Sequence, residues 1–348
     1  MTNFQPEAAD EKRGIVRDSR WHAHRYDAAQ DAFQFRQVSR EAHRQATFLT
    51  DEYLGESSRT VPVPRVEALA AGAERARVHF IFHSAFCAST MLVRALDVPG
   101  MAMGLSEPML CNDLMGWRWR GAERRQVAAV LDASLALLQR PFGADEAVVI
   151  KPSNIFNPLI GAAMALRPDA HAVLLYAPLP VFLASVARKG LWCRLWAREL
   201  LEGQLREGTV DLGFGPADYF RQSDLQVAAI GWLVQHRMFA QIAGQLGPER
   251  VRTLDSETLT GRKADALTAV TRHFGLSQAP EIQAAMLAGP ALSSHSKFGQ
   301  SFSADDRAAE QDFARRAYGD EIDKVHAWAL EVARVNDIAM DLAHPLLP

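Results

Sequence analysis

The stretch from Val78 to Leu96 constrains the fold more than any other part of the chain. VHFIF (78–82) is a short apolar run of β-forming residues, small and polar residues break it at His83–Ala88, and helical periodicity follows over Ser89–Leu96. The same grammar recurs. AVVI (147–150) ends at Lys151-Pro152, and AVLLY (172–176) ends at Ala177-Pro178 before a helical pattern over Val181–Arg188. Val251–Leu254 is a fourth candidate strand, followed by a helix over Ala264–Phe274 that stops at Gly275. Short apolar strands alternating with helices predict a three-layer α/β/α fold around a central, mainly parallel sheet.

The chain has 348 residues, enough for one large α/β domain plus an extension. Residues 1–76 read as an N-terminal extension, partly helical: residues 1–25 are polar and expected to be mobile, Ser39–Leu54 has a helical pattern, and a Pro-containing connector follows. Residues 77–348 read as the α/β domain, with helical insertions and a C-terminal helix. Residues 191–247 look helical throughout, with Gly247-Pro248 as the break, and a polar loop over 293–307 leads into a last helix over 308–335.

A net charge of -3 argues against a bulk electrostatic grip on nucleic acid or on an anionic membrane. The densest basic cluster, Arg118–Arg125, reads as a solvated helix start. Three cysteines without metal-type spacing make no disulfide framework, which fits a reducing cytoplasm. The N-terminus lacks the apolar core of a signal peptide, and no run of ~18 apolar residues predicts a membrane span. The oligomeric state is left open.

In open parallel sheets ligands bind beyond the carboxyl ends of the strands, which directs attention to His83–Thr90, Lys151–Asn154 and Ala177–Pro180. The octet His83, Ser84, Ala85, Phe86, Cys87, Ala88, Ser89, Thr90 keeps only Thr90 of a nucleotide-hydrolase phosphate loop, which needs Gly at 83 and 88 and Lys at 89. A strand, a loop of small residues and paired hydroxyls opening a helix nonetheless suit an anion, because the first amides of the helix are free and its dipole is favourable. Ser89 as an ordinary helix cap is compatible with both readings.

At these residues the sequence resembles the sulfotransferase family, whose phosphosulfate loop often reads Gly-x-Pro-Arg-Ser-Gly-Thr-Thr. Ser89-Thr90 match the Thr pair, Ala88 takes the Gly place and Cys87 the Ser place. VVIKPS (148–153) looks like the second family strand, and LLYAPLPVFLASVARKG (174–190) looks like the 3′-phosphate segment, with Pro178 and Ser185 in place. Residues 250–276 are similar to the late family segment, with Glu257 and Leu259 where Glu and Leu are expected. The resemblance covers roughly residues 77–310 and implies a P-loop-like sulfotransferase fold. Phe86 and Ala177 stand where the family has cations. Either Arg94, Lys151, Arg188, Lys189 or Lys297 supplies that charge, or the ligand differs.

The resemblance implies an enzyme that moves a sulfuryl group from 3′-phosphoadenosine-5′-phosphosulfate to a hydroxyl or amine acceptor, with no metal. Lys151 is then the residue that stabilises the leaving oxygen, and a solvated strand end is the plain alternative. Glu107, in LSEPML, is the candidate base, and His83 is its rival. The phosphosulfate loop is Ser84, Phe86, Cys87, Ala88, Ser89 and Thr90. Ser185, Arg188 and Lys189 share one helix face for the 3′-phosphate, and Lys297 lies in a loop that closes over the nucleotide or is a surface connector. Cys87 as a thiol nucleophile lacks a visible His–Asp arrangement. Trp117, Trp119, Trp192 and Trp196 read as core packing ahead of an acceptor pocket. Two other functions stay open: a phosphotransferase of similar fold using ATP and a divalent metal, with Asp305 and Asp306 as the adjacent acidic pair, and a non-catalytic binding protein that keeps the fold without its cations.

Overall fold

A computed structural model describes residues 6–56, 59–292 and 304–348. In the first 76 residues the elements are α1 (Pro6–Arg17), β1 (Trp21–Asp27), β2 (Ala32–Gln37), α2 (Arg40–Gln45), α3 (Asp51–Leu54), β3 (Thr60–Pro64) and α4 (Arg65–Ala70). Then come β4 (Val78–His83), α5 (Ser89–Leu96), β5 (Ala102–Ser106), α6 (Met109–Trp119), α7 (Arg124–Leu138), β6 (Ala147–Lys151) and α8 (Ile160–Leu166). The rest comprises β7 (Ala172–Tyr176), α9 (Leu179–Arg188), α10 (Gly190–Arg206), α11 (Pro216–Arg221), α12 (Asp224–Arg250), β8 (Val251–Asp255), α13 (Ser256–Gly261), α14 (Lys263–His273), α15 (Pro280–Ala288) and α16 (Ala304–Val335).

The main sheet has five strands in the order β5-β6-β4-β7-β8, with β6 parallel to both β4 and β5, and β7 parallel to β8. β4 to β7 are almost wholly buried runs, as expected of parallel strands covered on both faces. Successive strands step to one side of β4 and then to the other, so the order reverses at β4. In such sheets the crevice beyond the carboxyl end of the reversal strand is the preferred ligand position.

Two compact units divide the chain. One comprises residues 1–81, 92–171 and 274–288; the other comprises 82–91, 172–273 and 289–348. In the first unit a strand, β1, begins at Trp21, inside the stretch 1–25 expected to be polar and mobile. Trp21–Asp27 and Ala32–Gln37 pair antiparallel, and β3 adds to β2. The signal was masked because the buried positions of β1 include His22 and His24. His24 Nε2 pairs with Asp51 Oδ1 at 2.6 Å, and burial drives the His22 pKa well below the ordinary imidazole value, so His22 is neutral. Arg25 grips Asp113 of α6 through both Nε and Nη2, at 2.8 and 2.9 Å, fixing this small sheet to α6. The helix expected over Ser39–Leu54 is two short helices. Residues 46–50 between them bend away from the helices, and Leu49 donates its N–H to Ser106 O (2.7 Å) and accepts from Met109 N–H (3.0 Å).

β5 was not foreseen either. Its sequence, AMGLS, carries a glycine that weakens the strand signal. The structure gives the reason: a Cβ at Gly104 would lie 2.5 Å from Val93 O, so α5 packs on β5 at a distance only glycine allows. At the end of α5, Asp97 is buried between Arg40 (3.8 Å), His43 (3.8 Å) and Arg44 (3.7 Å), with Glu146 held by Arg40 at 2.7 Å.

In the second unit α12 is the buried centre, with Trp232 and Phe239 fully enclosed. It packs against α9, α10 and α16. The helical run expected over 191–247 is interrupted between Arg206 and Pro216 and between Arg221 and Asp224, while the expected break at Gly247-Pro248 is a kink made by the positive φ of Gly247, 70°. Beyond α16 the chain returns to the edge strand: Thr253 N–H donates to His344 O (3.0 Å) and Leu346 N–H to Thr253 O (2.8 Å), covering the open edge of β8.

Gly104→Ala should lower the unfolding free energy by about 1–3 kcal/mol, the usual cost of overpacking, measured by urea denaturation. Burial pushes the Asp97 carboxyl up to about 6 against a reference of 3.8. Folding therefore favours protonated Asp97 below pH 4, and that contribution is lost as pH rises towards 6. Asp97→Asn should gain stability relative to the parent chain over this window, by about 1–3 kcal/mol, with little further change above pH 7.

Candidate functional site

β4 ends inside the second unit, in the loop that precedes α5. Ser84 anchors it. Its N–H donates to Leu175 O at 3.1 Å, continuing the ladder with β7, and its hydroxyl accepts the N–H of Ala177 at 3.1 Å. The loop then turns through three left-handed residues without a glycine: Ala85 (φ 74°), Phe86 (φ 53°) and Ala88 (φ 63°). Each is an unfavourable conformation for an L-residue, of order 1 kcal/mol or more. α5 opens directly after the loop with Ser89 and Thr90, both nearly buried.

His83 occupies the last position of β4. Its Nδ1 accepts the N–H of Ala85 at 3.1 Å, so that nitrogen has no lone pair left for a substrate proton. This bond ties the His83 ring to the loop. Cys87 is buried at 1% exposure, which withdraws its thiol from solvent.

Phe86 is fixed by two rings, tilted against Phe182 with centroids 5.7 Å apart and edge-on to Trp196 at 5.4 Å. Lys189 Nζ lies over its face, 5.7 Å from the centroid. Ser185 and Arg188 lie on the same helix, α9, which begins after Pro178. The Ser185 hydroxyl donates to Val181 O at 2.9 Å, so as it stands it offers a ligand an acceptor only. Lys297 falls outside the described residues, as do the side chains of Asp305 and Asp306.

In the first unit the structure brings Lys151 and Glu107 together. The two terminate neighbouring strands, β6 and β5, and Glu107 N–H donates to Lys151 O at 2.7 Å. The Lys151 ammonium donates to Glu107 Oε1. The Lys151 side chain is fully buried and that of Glu107 is 19% exposed, so Lys151 is not a solvated strand end. Glu107 itself has a left-handed backbone, φ 49°. Two residues of the N-terminal segment complete this group, and sequence reading missed both. Phe48 places its ring 4.9 Å from the ammonium, and Tyr53 meets Phe48 edge-on at 5.1 Å. The charge of Glu107 helps raise the Tyr53 pKa, after burial and Glu52. No pattern near Phe48 announces this, because the link to Lys151 spans a hundred residues of chain.

The tryptophans divide. Trp117 packs tilted against Tyr26 with centroids 5.6 Å apart, and Trp196 meets Phe86 edge-on. Trp192 departs from the core-packing expectation: with Leu191 and Leu195 it stands exposed on α10. Among the described residues no helix is long and apolar enough to cross a membrane, and no cluster of three or more His, Cys, Asp or Glu is arranged to hold a metal ion.

No family model matches the chain, and no curated protein matches it. Solved structures similar to it include sulfotransferases. One is the sulfotransferase domain of the curacin biosynthetic pathway, at 15% identity and a TM-score of 0.42, covering 71% of this chain and 98% of that one. A second is the sulfotransferase domain of the Synechococcus olefin synthase, at 14% and 0.42, covering 70% and 89%. A third is a Mycobacterium avium sulfotransferase, at 14% and 0.43, covering 72% and 77%. At these values neither donor nor acceptor follows from the likeness.

Removing the carboxylate of the Lys151–Glu107 pair leaves a buried ammonium uncompensated. Glu107→Gln should cost about 3–5 kcal/mol of stability. The double variant Glu107→Gln/Lys151→Met should recover much of it, which chemical denaturation of the four members of the cycle will measure.

Proposed function

We propose that the chain transfers a sulfuryl group from 3′-phosphoadenosine-5′-phosphosulfate to a hydroxyl or amine acceptor. One observation carries this reading. The Ser84 hydroxyl ties the strained loop 83–90 to Ala177, two residues before α9, the helix that bears Ser185, Arg188 and Lys189. These are the segments whose sequences resemble the 5′-phosphosulfate loop and the 3′-phosphate segment of sulfotransferases. Amides, two hydroxyls and nearby cations fit an anionic nucleotide carrying a phosphate at each end.

In the reaction the bond between sulfur and the bridging phosphate oxygen breaks and a bond from sulfur to the acceptor oxygen or nitrogen forms. Charge builds on the leaving oxygen of 3′,5′-adenosine bisphosphate, and the acceptor loses a proton. We assign Lys151 to the developing charge and Glu107 to the proton. Glu107 suits the second role because it is the more exposed member of its pair. His83 is the weaker candidate for the base, since its Nδ1 is occupied by Ala85.

Titration calorimetry with 3′,5′-adenosine bisphosphate, beside ATP with Mg²⁺, tests the donor. The bisphosphate should bind in the micromolar range, about 8 kcal/mol. Ser89→Ala/Thr90→Val should weaken it at least ~10-fold through two lost hydroxyl donors. Binding of ATP with Mg²⁺ but not of the bisphosphate would replace the sulfuryl donor by a phosphoryl donor, and binding of neither would remove the enzymatic reading.

A further inference from the structure

Ala177 is fully buried, and side chains take both polar groups of its backbone. Its N–H donates to the Ser84 hydroxyl at 3.1 Å, and its carbonyl accepts the indole N–H of Trp232 at 2.8 Å. The indole is itself backed by His236, one turn along α12, with ring centroids 4.2 Å apart and planes at 15°. His236 is held in turn by the segment that follows α16, through a bond from Nε2 to Met340 O at 3.0 Å. Resting on the nucleotide reading above, we infer that residues 337–348 form a strap that regulates loop 83–90. Docked along β8, the strap keeps His236 against Trp232, and so keeps the indole that pins Ala177; undocked, it lets that anchor open.

The coupling follows from where the imidazole keeps its proton. Burial drives His236 down to about 4, against smaller raising effects of the Met340 bond and of Asp341, so the ring is neutral near pH 7. Met340 offers only an acceptor, which puts the single proton on Nε2. Tyr176 of β7 meets the same ring edge-on at 5.2 Å. Without Met340 O, an enclosed N–H has no acceptor, and that is costly. The ring then turns to solvent and the indole loses its backing.

The strap can leave without the core leaving with it. Of residues 337–348 only Ile338 and Leu342 are buried. Its bonds to the sheet converge on Thr253: the N–H to His344 O (3.0 Å), the hydroxyl to Ala343 O (3.0 Å), and the carbonyl from Leu346 N–H (2.8 Å). Arg262 adds one bond, to Pro348 O at 3.1 Å. Asp337 and His344 both carry positive φ, 52° and 62°. A short edge segment with two buried side chains and strained residues belongs to the low-stability end of a fold, where switching elements are drawn from.

The test is hydrogen exchange of single amides, read by NMR on the full chain and its variants. The Leu346 amide reports the strap, the Ala177 amide reports the anchor, and the Leu174 amide reports β7 as a whole. Leu342→Asp should undock the strap and speed exchange at Leu346. It should speed Ala177 roughly 10-fold, an ordinary coupling between sites, and change Leu174 by less than about 3-fold. Adding His236→Phe supplies a flat ring that needs no acceptor, and should return Ala177 to within about 3-fold of the parent chain with the strap still undocked. If Leu342→Asp does not fold, Leu346→Pro, which removes one strap donor, takes its place, with Leu342 as the strap reporter. Ala177 unchanged once the strap is undocked, or Ala177 and Leu174 speeding by the same factor, overturns the inference. Titration with 3′,5′-adenosine bisphosphate separates this from the nucleotide reading. The undocked variant should bind it roughly 3- to 10-fold more weakly, and by reciprocity the bisphosphate should slow Leu346 exchange in the parent chain by the same factor. Equal binding by parent and undocked chains overturns the regulation while the nucleotide reading stands. A parent chain that binds no bisphosphate removes the nucleotide reading and the regulation with it, and Ala177 exchange still decides whether the strap holds the anchor.

Discussion

Ser84 is the residue on which the nucleotide loop depends. It is the last residue to pair along the sheet, through its N–H to Leu175, and the first to leave it, through a hydroxyl that accepts Ala177 N–H. That double engagement fixes the start of the loop and the start of α9 together. Trp232 adds a second tie by donating its indole N–H to Ala177 O at 2.8 Å. With both ends secured, three non-glycine residues stand in left-handed conformations that an isolated peptide would abandon. The buried packing of Phe182, Leu183 and Trp232 sustains that strain. The product is a loop whose start is held in one place by the strand β7 and by the approach to α9.

The Lys151–Glu107 pair answers a different constraint. An ammonium with no exposed side-chain surface requires a counter-charge, and Glu107 supplies it from the neighbouring strand end. The aromatic face of Phe48 covers the ammonium on another side. Phe48 reaches it because residues 46–50 do not continue the helix on either side; they pair with the strand end through Leu49. The N-terminal residues are therefore built into the unit that carries this pair, and the small antiparallel sheet clamped to Asp113 is what holds them there.

How much of this was legible in the sequence follows from burial. β4, β6, β7 and β8 are apolar because both faces of the sheet are covered, and apolar runs announce themselves. β5 is equally buried, but the approach of α5 forces Gly104 on it and erases the pattern. β1 hides its burial under imidazoles that are neutral or paired with Asp51, so a polar string forms a strand. Chemistry was legible where position alone implies it: Lys151 stands at a strand end and Ser84 after a strand. What was illegible is pairing. Nothing in the linear order links Phe48 to Lys151, or Lys189 to Phe86, because both contacts join elements whose separation in sequence carries no periodic signal. The exposed Trp192 shows the converse error, since residue type predicts burial only on average.

The central claim is that loop 84–90 is a built anion site for a nucleotide with phosphate at its 5′ end. A crystal structure of the chain with 3′,5′-adenosine bisphosphate tests it most directly. The account predicts the 5′-phosphate within about 3 Å of backbone nitrogens in residues 86–90, with the loop conformation of Ala85, Phe86 and Ala88 unchanged. A nucleotide bound elsewhere with this loop empty, or a loop that refolds to relieve its left-handed residues when the ligand binds, would contradict it.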